Sequence, residues 1–385
     1  MKKFLAVLAV ICLWATAVVG VAGEGITLEE KALELAGSNL RFPAVEGMED
    51  ESLQEAINRR IREDLGVDGY LQRMNALISD DAHRITAGWS GGILGDVFSG
   101  VLEAEGAVKS LRGGHEWRWS NIDLRDGHEI AFGELFADEA AAREAIETYL
   151  EETVAEELSP HLGNSAVTPL PEGFRMEQTG VTLLYDAEQL STLQDRAGAI
   201  KIGWNEIRDV ADWREDGILA RIGAAEMITL TAERAEDIRK MTESGKLPDI
   251  PVKIGDSVAA WTERTGLLHD PEEYSGGRMF ALEGAAFRDI YLLSDAVDSE
   301  WDQSFVQGIR ADRGCFWGLC IGETRAEEWH SLLGEPDDTA ALDEEDAEGA
   351  RTVAGVCDYY LFGAYRLQLQ ADTDGFLASI ALMAQ

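Results

Sequence analysis

Basic residues are scarce in this chain, and their scarcity produces its most unusual property. The 385 residues include 33 Lys and Arg against 72 Asp and Glu, which gives a formal net charge of −39 and a pI near 4.4. Such a field repels nucleic acid and anionic lipid, and it attracts cationic partners. The charge therefore argues against nucleic-acid binding. It does not identify a partner, because the same acidity serves solubility or the adaptation of a whole proteome to acid or salt.

Histidine is also rare, and this argues against a metal site. None of the six histidines forms a His-x-x-x-His or His-x-His pair, and no Cys-x-x-Cys pair has the spacing of a zinc site. The acidic run at residues 343–346 lacks the alternating oxygen spacing of a calcium loop, and we interpret it as a solvated loop. We therefore predict that the protein uses no metal and no other cofactor.

Motifs for catalysis are missing as well. The chain has no Gly-x-Ser-x-Gly nucleophile motif and no phosphate-binding Gly-x-x-x-x-Gly-Lys. Two carboxylates could in principle hydrolyse a glycan, but among 72 acidic residues such pairs arise by chance. The prediction is a protein that is not an enzyme, with a glycan hydrolase as the less favoured alternative.

Only one long apolar run occurs, and it lies at the N-terminus. Lys2 and Lys3 precede the apolar residues 4–19, and small residues close the segment at residues 21–23. This pattern predicts a secretory signal over residues 1–23. A retained membrane anchor is the alternative, because the run is about as long as the shortest spanning helices. Without a second such run, the mature protein is expected to be soluble and either secreted or associated with the cell wall.

Three cysteines follow the predicted signal, namely Cys315, Cys320 and Cys357. An exported protein meets an oxidising environment, so one disulfide among these three is a reasonable expectation and would leave one free thiol. Sequence alone does not select the pair. Buried, reduced cysteines are the alternative interpretation.

Residues 24–212 are predicted to form a domain of helices and antiparallel strands. One amphipathic helix has apolar residues four apart, at Leu53, Ile57, Ile61 and Leu65. Further helices are expected near residues 28–36 and 138–158, and Asp126-Gly127 is expected to form a hairpin turn. Strands are predicted at residues 85–89, 93–98, 101–108, 117–124, 181–185 and 199–203.

The remaining chain is predicted to contain a helical connector and a tandem repeat. The connector covers residues 213–249 and ends at a proline-rich break. The repeat covers residues 250–385, with copies at about 250–311 and 317–385; each copy has a glycine turn into a helix, an acidic loop and strands. The fold class is therefore α+β: a mixed helix and antiparallel-sheet domain followed by two helix–helix–antiparallel-sheet repeats.

Two groups of residues are candidates for a binding surface. Gly113 and Gly114 permit positive φ and a close backbone approach, so Gly113-Gly114-His115 forms either a β-turn or part of a ligand surface. Trp117 and Trp119, two residues apart on a predicted strand, project to one face of it. They are interpreted as core residues or as an aromatic platform for a sugar or a protein.

Residues 42–210 resemble the extracytoplasmic domain of the lysozyme-binding anti-sigma-V factor family, which also accompanies some bacterial peptidoglycan deacetylases. The family often carries Gly-Gly-Ala-His where this chain lacks the alanine, and residues 186–196 lack its usual Tyr and Pro. The matching words, in order, are Phe42-Pro43-Ala44-Val45, Gly113-Gly114-His115, Asn121-Ile122-Asp123-Leu124, Asp126-Gly127-His128, Glu134-Leu135-Phe136, Phe174 and residues 181–185.

Residues 250–385 resemble the repeats of the β-lactamase inhibitor protein and of the small lipoprotein of the outer-membrane assembly machine. The words that carry this likeness are Ile321-Gly322-Glu323-Thr324 and Leu332-Leu333-Gly334-Glu335-Pro336. Together the two resemblances imply an extracytoplasmic protein that recognises another protein, and lysozyme or another cationic hydrolase is the expected partner. A cell-wall glycan-binding or enzyme-accessory module is the alternative.

Overall fold

The computed structural model describes residues 25–35, 37–77, 84–106, 115–150, 170–185, 198–250, 252–259, 272–274, 277–281, 289–295 and 304–385. The predicted signal peptide, Gly113 and Gly114 lie outside the described residues. The chain divides into two compact units. The first unit comprises residues 1–177, 182–199 and 209–222, and the second comprises residues 178–181, 200–208 and 223–385.

The first unit contains a five-stranded sheet in the order β1-β2-β3-β4-β5, with α1 and α2 between β2 and β3. The pairing of β2 with β3 is parallel and the other pairings are antiparallel. The bounds are β1 Thr27–Leu35, β2 Ser38–Glu46, α1 Glu51–Asp64, α2 Val67–Ala76, β3 Ile85–Leu94, β4 Val97–Gly106 and β5 His115–Asp123.

The predicted helix at residues 28–36 is wrong, because this segment forms β1. It pairs with β2 along its whole length, from Thr27 opposite Glu46 to Leu35 opposite Ser38, and Gly37 turns the hairpin with a φ of +81°. β2 supplies buried side chains to the core, so cross-strand pairing with it outweighs the local helix preference of the segment.

Helix α1 follows the predicted periodicity. Asp50 caps it by accepting hydrogen bonds from the amides of Ser52 and Leu53, and Ile57 and Ile61 are buried in the core beneath it.

After β5 the described helices and strands are α3 Glu139–Tyr149, β6 Gly173–Met176, β7 Gly180–Tyr185, β8 Gly198–Gly203, α4 Ile218–Arg221, α5 Ala224–Ile228 and α6 Arg234–Ser244. Strands β6, β7 and β8 form a three-stranded sheet in that order.

The second unit contains an eight-stranded sheet with the order β15-β16-β17-β18-β12-β11-β10-β9. The first predicted copy supplies β9 to β12 and the second supplies β15 to β18, and the two join where Ile309 of β12 lies opposite Leu382 of β18. The bounds are β9 Glu272–Tyr274, β10 Gly277–Ala281, β11 Ile290–Ser294, β12 Gly308–Ala311, β15 Asp338–Leu342, β16 Gly355–Phe362, β17 Tyr365–Asp372 and β18 Leu377–Ala384. The α+β class and the sheet-rich C-terminal half are thus confirmed.

Two helices accompany the second copy, α7 Ala326–Leu333 before β15 and α8 Glu344–Gly349 after it. We predicted a solvated loop at residues 343–346, and this prediction is wrong because residues 344–346 form the first turn of α8. Asp343 caps α8 by accepting a hydrogen bond from the amide of Asp346, and the acidic first turn is favoured by the positive end of the helix dipole.

The structure joins Cys315 and Cys320 in a disulfide across the short strands β13 Cys315–Phe316 and β14 Leu319–Cys320. Their turn places Trp317 and Gly318 at positive φ, a conformation that glycine adopts without steric cost. Cys357 is a buried free thiol whose pKa is raised by burial.

Candidate functional site

The predicted binding residues with described side chains lie on β5, the edge strand of the first unit's sheet. His115 is the first residue of β5, and its side chain lies outside the described residues. Trp117 and Trp119 are both half-buried. Because side chains alternate along a strand, these tryptophans share one face with Asn121, while Glu116 and Arg118 point to the other face.

Helices α1 and α2 cover the opposite face. The hydroxyl of Ser120 donates to Asp64 of α1 at 2.9 Å, and Arg73 of α2 donates to the buried carboxylate of Glu116 at 3.0 Å. Burial raises the pKa of Glu116, but Arg118 and Arg73 outweigh burial, so the pKa lies below its usual value. These hydrogen bonds hold α1 and α2 against one face of the sheet. The two tryptophans lie on the opposite face.

The tryptophan face is defined here as Gly88, Ser90, Glu103, Trp117 and Trp119. In the sheet, Trp117 lies opposite Glu103, which lies opposite Gly88. Trp119 lies in the next row of the same face, opposite Val101, which lies opposite Ser90. The two indole side chains are therefore neighbours on one face of β5, and the cross-strand row that contains Trp117 ends at Gly88 on β3.

Strand β6 covers one end of this face. The amide of Asn121 donates to the carbonyl of Phe174 at 2.9 Å, and the hydroxyl of Ser99 accepts from the amide of Met176 at 2.8 Å. Ser99 also donates to Asn121 at 2.6 Å, so β6 is hydrogen-bonded to side chains of both β4 and β5. The buried polar groups at this end satisfy one another, which fixes the position of β6.

Gly173 at the start of β6 lies directly on the indole of Trp119. A Cβ at this position would come within 2.7 Å of the ring, so only glycine permits the contact. We expect Gly173→Ala to displace the indole and to shift tryptophan fluorescence toward the red, because the ring would gain exposure to water. Gly88→Ala is the matched control, since its Cβ would meet open space. Equal spectra for the two variants would contradict the packing of Trp119 under Gly173.

The other end of the tryptophan face is accessible. Ser90 is exposed, Gly88 has no atom within 4 Å of a Cβ built on it, and Trp117 is half-buried. The indole N–H of Trp117 is buried and has no hydrogen-bond partner among the described residues. By contrast, the indole N–H of Trp89 donates to Glu30 at 3.1 Å. A buried donor without an acceptor is costly, and an acceptor on a bound partner would remove that cost if the indole turned to expose its N–H.

A buried ion pair borders the same face. Arg175 of β6 pairs with Glu177, and both side chains are at least nine-tenths buried. Arg175 also donates to the hydroxyl of Ser90 at 2.7 Å, and Glu177 accepts from the hydroxyl of Thr182 at 3.0 Å. The hydrogen bond to Ser90 links β6 to β3 and limits how far the tryptophan face can rearrange. No pattern in the sequence indicated this pair, although Arg175 lies beside Phe174, one of the residues that carry the family resemblance.

The chemistry of the tryptophan face is suited to noncovalent binding. It has apolar aromatic surface, the buried indole N–H of Trp117, a serine hydroxyl and one carboxylate, at Glu103. Among the described residues, no group of three or more His, Cys, Asp or Glu is arranged to hold a metal ion. No helix within the described ranges is long and apolar enough to cross a membrane.

Comparison with known proteins gives only distant structural likenesses. No protein-family model matches the chain, and no curated protein sequence matches it. A DUF3298 family member from Bacteroides fragilis aligns with a TM-score of 0.38 at 13% identity, over 56% of this chain and 99% of its own. A DUF3298 protein from Pseudomonas aeruginosa aligns with a TM-score of 0.34 at 11% identity, over 52% and 95%.

A DUF4309 family protein from Bacillus subtilis aligns with a TM-score of 0.26 at 12% identity, over 40% of this chain and 98% of its own. None of these three names states a ligand, a substrate or an activity. At such TM-scores we base no argument on the alignments. The resemblance to the lysozyme-binding family therefore stays a prediction.

Proposed function

We propose that this chain is a non-enzymatic binding protein of the cell exterior, and that its tryptophan face recognises a cationic protein such as lysozyme. The observation that carries the proposal is the buried, unsatisfied N–H of Trp117, in the same cross-strand row as the open position at Gly88. Tryptophan is among the residues that dominate binding energy at protein interfaces, because it combines a large apolar surface with one hydrogen-bond donor.

Charge supports a cationic partner. A net charge of −39 attracts positively charged proteins over long distances and accelerates their encounter at low ionic strength. The screening length falls from about 30 Å at 0.01 M salt to about 8 Å at physiological salt, so this attraction weakens as salt is added.

The proposed location outside the cytoplasm is supported by two features. Residues 1–23 have the charge and hydropathy pattern of a secretion signal. The disulfide between Cys315 and Cys320 is of a kind that persists mainly in oxidising compartments. Mass spectrometry of the protein from its native cells would test the location by giving the N-terminal residue and the compartment.

Binding to a c-type lysozyme tests the proposal. Calorimetric titration of residues 24–385 is expected to show saturable binding that weakens as salt is raised. Trp117→Ala is expected to weaken binding by at least about 30-fold, the loss typical of a central interface residue. Trp117→Phe keeps most of the aromatic surface and removes the N–H, so it should give an intermediate affinity.

The control for these variants is Trp213→Ala, which removes a half-buried tryptophan of the same unit that is not on the tryptophan face. It should bind lysozyme like the unmodified chain. Absence of binding at every salt concentration would refute lysozyme as the partner. Equal loss in Trp117→Ala and Trp213→Ala would refute the assignment of the tryptophan face.

A cell-wall glycan is the second candidate ligand, favoured by the neighbouring positions of Trp117 and Trp119 on one strand face, of which Trp117 lies at the accessible end. Sugar rings stack on aromatic rings and carry little charge, so this binding would be largely independent of salt. Titration with soluble wall fragments, with the same Trp117 and Trp213 variants, separates the two candidates.

A further inference from the structure

Among the described strands, β15 of the second unit pairs on one side only. It pairs with β16 from Asp338 opposite Tyr359 to Leu342 opposite Gly355, and no other described strand lies on its far side. All five residues of β15 are exposed or half-exposed. A strand edge of this kind presents backbone N–H and C=O groups with which another extended chain can pair.

Strand β15 is short and begins with the charged Asp338, but it lacks other common devices that protect a strand edge. Its sequence, Asp-Thr-Ala-Ala-Leu, contains no proline and no lysine, and its pairing with β16 shows no bulge. The side chains of Thr339, Ala340 and Ala341 are small, and the amide of Thr339 donates to the carboxylate of Asp338 at 2.9 Å, a bond that an incoming strand would have to replace. A neighbouring strand could therefore approach to hydrogen-bonding distance without displacing large side chains.

The surroundings of this edge are strongly acidic. Residues 335–350 contain eight carboxylates and no Lys or Arg, and no ion pair to any of the eight occurs within the described part of the chain. Asp337 accepts a hydrogen bond from the amide of Leu361 at 2.8 Å, and Asp343 caps α8. The eight residues are Glu335, Asp337, Asp338, Asp343, Glu344, Glu345, Asp346 and Glu348.

Charge selects among the possible occupants of the edge. If two copies of the chain paired antiparallel through β15, Asp338 of each would face the acidic end of the other strand, near Asp343. Like charges across a strand pair are destabilising, so the acidic residues oppose self-association. The same residues attract a cationic chain.

We propose that the free edge of β15 binds an extended, basic peptide segment, which adds to the sheet as a ninth strand. Backbone hydrogen bonds hold the segment, and its Lys and Arg side chains lie near the carboxylates at residues 337–338 and 343–346. This inference does not rest on the tryptophan face, because it concerns a different unit and an extended rather than a folded partner.

The probe is a synthetic peptide of alternating Lys and Val with blocked ends, titrated calorimetrically at low salt. Hydrogen exchange followed by mass spectrometry should show slower exchange at residues 338–342 when the peptide is bound. A fully N-methylated peptide has the same charge but cannot donate backbone hydrogen bonds, and it should bind at least about tenfold more weakly.

Two triple variants test the role of charge. Asp338→Asn/Glu344→Gln/Glu345→Gln should weaken peptide binding by about tenfold, because it removes three carboxylates at the edge. The control, Glu243→Gln/Glu327→Gln/Asp374→Asn, removes three exposed carboxylates elsewhere in the same unit and should change the affinity by less than about twofold.

The proposal would be overturned if the N-methylated peptide bound as tightly as the unmethylated one, or if hydrogen exchange at residues 338–342 did not slow when the peptide was bound. Either result would mean that the peptide binds only by nonspecific attraction to an acidic protein. Equal losses in the two triple variants would do the same. Lysozyme binding that depends on Trp117 would be unaffected by any of these results, so failure here is distinguishable from failure of the proposed function.

Discussion

Replacing Gly91 by alanine is expected to lower the free energy of unfolding of the first unit by at least about 3 kcal/mol. Gly91 lies in β3 with a φ of +133°, a conformation that residues with a side chain rarely adopt. A Cβ there would lie 2.2 Å from the carbonyl oxygen of Ser99 and 2.6 Å from Cα of Gly100. Both contacts are with backbone, so relief of the clash requires β3 and β4 to move apart.

The adjacent Gly92 provides the matched control. Its Cβ would have no atom within 4 Å, and its φ is not in the positive range. Gly92→Ala is therefore expected to change stability by less than about 1 kcal/mol, and the sign can be favourable because alanine restricts the unfolded chain. Hydrogen exchange of β3 and β4 in increasing urea measures both variants. If Gly91→Ala lowered the free energy of unfolding no more than Gly92→Ala does, the close approach of β3 to β4 at Gly91 would be contradicted.

The second large effect concerns Arg221, which ties α4 to the ends of β4 and β5. Its guanidinium donates to Asp96 at 2.8 Å and to Asp123 at 2.9 Å, and both Arg221 and Asp123 are nearly buried. Arg221→Met is expected to lower the free energy of unfolding by about 3 kcal/mol at neutral pH, because it leaves the Asp123 carboxylate with only Arg125 as its charged partner.

The effect of Arg221→Met should depend on pH. Burial raises the pKa of Asp123, but hydrogen bonds from Arg125 and Arg221 outweigh burial and lower the pKa from 3.8 to about 2. A depressed carboxyl pKa stabilises the fold above pH 3.8, and this stabilisation is lost as the pH falls from 3.8 to about 2. The cost of Arg221→Met should therefore be largest at neutral pH and should shrink as the pH falls through that window.

Arg214→Met is the control for this prediction. Arg214 also pairs with a carboxylate, that of Asp212 two residues away, but its side chain is 76% exposed. Its loss should cost less than about 1 kcal/mol. Urea denaturation of both variants between pH 7 and pH 2 measures the difference. A cost of Arg221→Met that is the same at both pH limits, or that equals the cost of Arg214→Met, would contradict the role of Asp123.

The predictions from local pattern succeeded where a single element determines the outcome. The four-residue spacing of Leu53, Ile57, Ile61 and Leu65 located α1, and the spacing of Trp117 and Trp119 placed both on one strand face. The helix expected at residues 28–36 failed because β1 is held by its pairing with β2, a contact that helix periodicity does not report. The solvated loop predicted at residues 343–346 was also wrong, because Asp343 caps a short helix there, which is a local feature of the sequence.

The candidate site could be predicted only in part. Alternation along β5 indicated a pair of tryptophans, but it gave no reason to expect that β6 would cover Trp119 and leave Trp117 accessible. Gly88 and Ser90 are about 30 residues away in sequence and reach the same face through the pairing of β3 with β4. The register of the strands decides which side chains meet, and register depends on contacts between distant segments.

The sequence by itself determined the charge, the scarcity of histidine and cysteine, the signal-like N-terminus and the preferences of the longest helix, because these depend on residue identity and local spacing. Only the tertiary structure decided which cysteines pair, which of the described tryptophans has an N–H without an acceptor, and which strand ends the eight-stranded sheet. Cys315 and Cys320 are only five residues apart, but their pairing depends on the hairpin of β13 and β14. The surroundings of the indole and the order of the sheet are set by groups far apart in the chain, whose approach depends on burial of a common core.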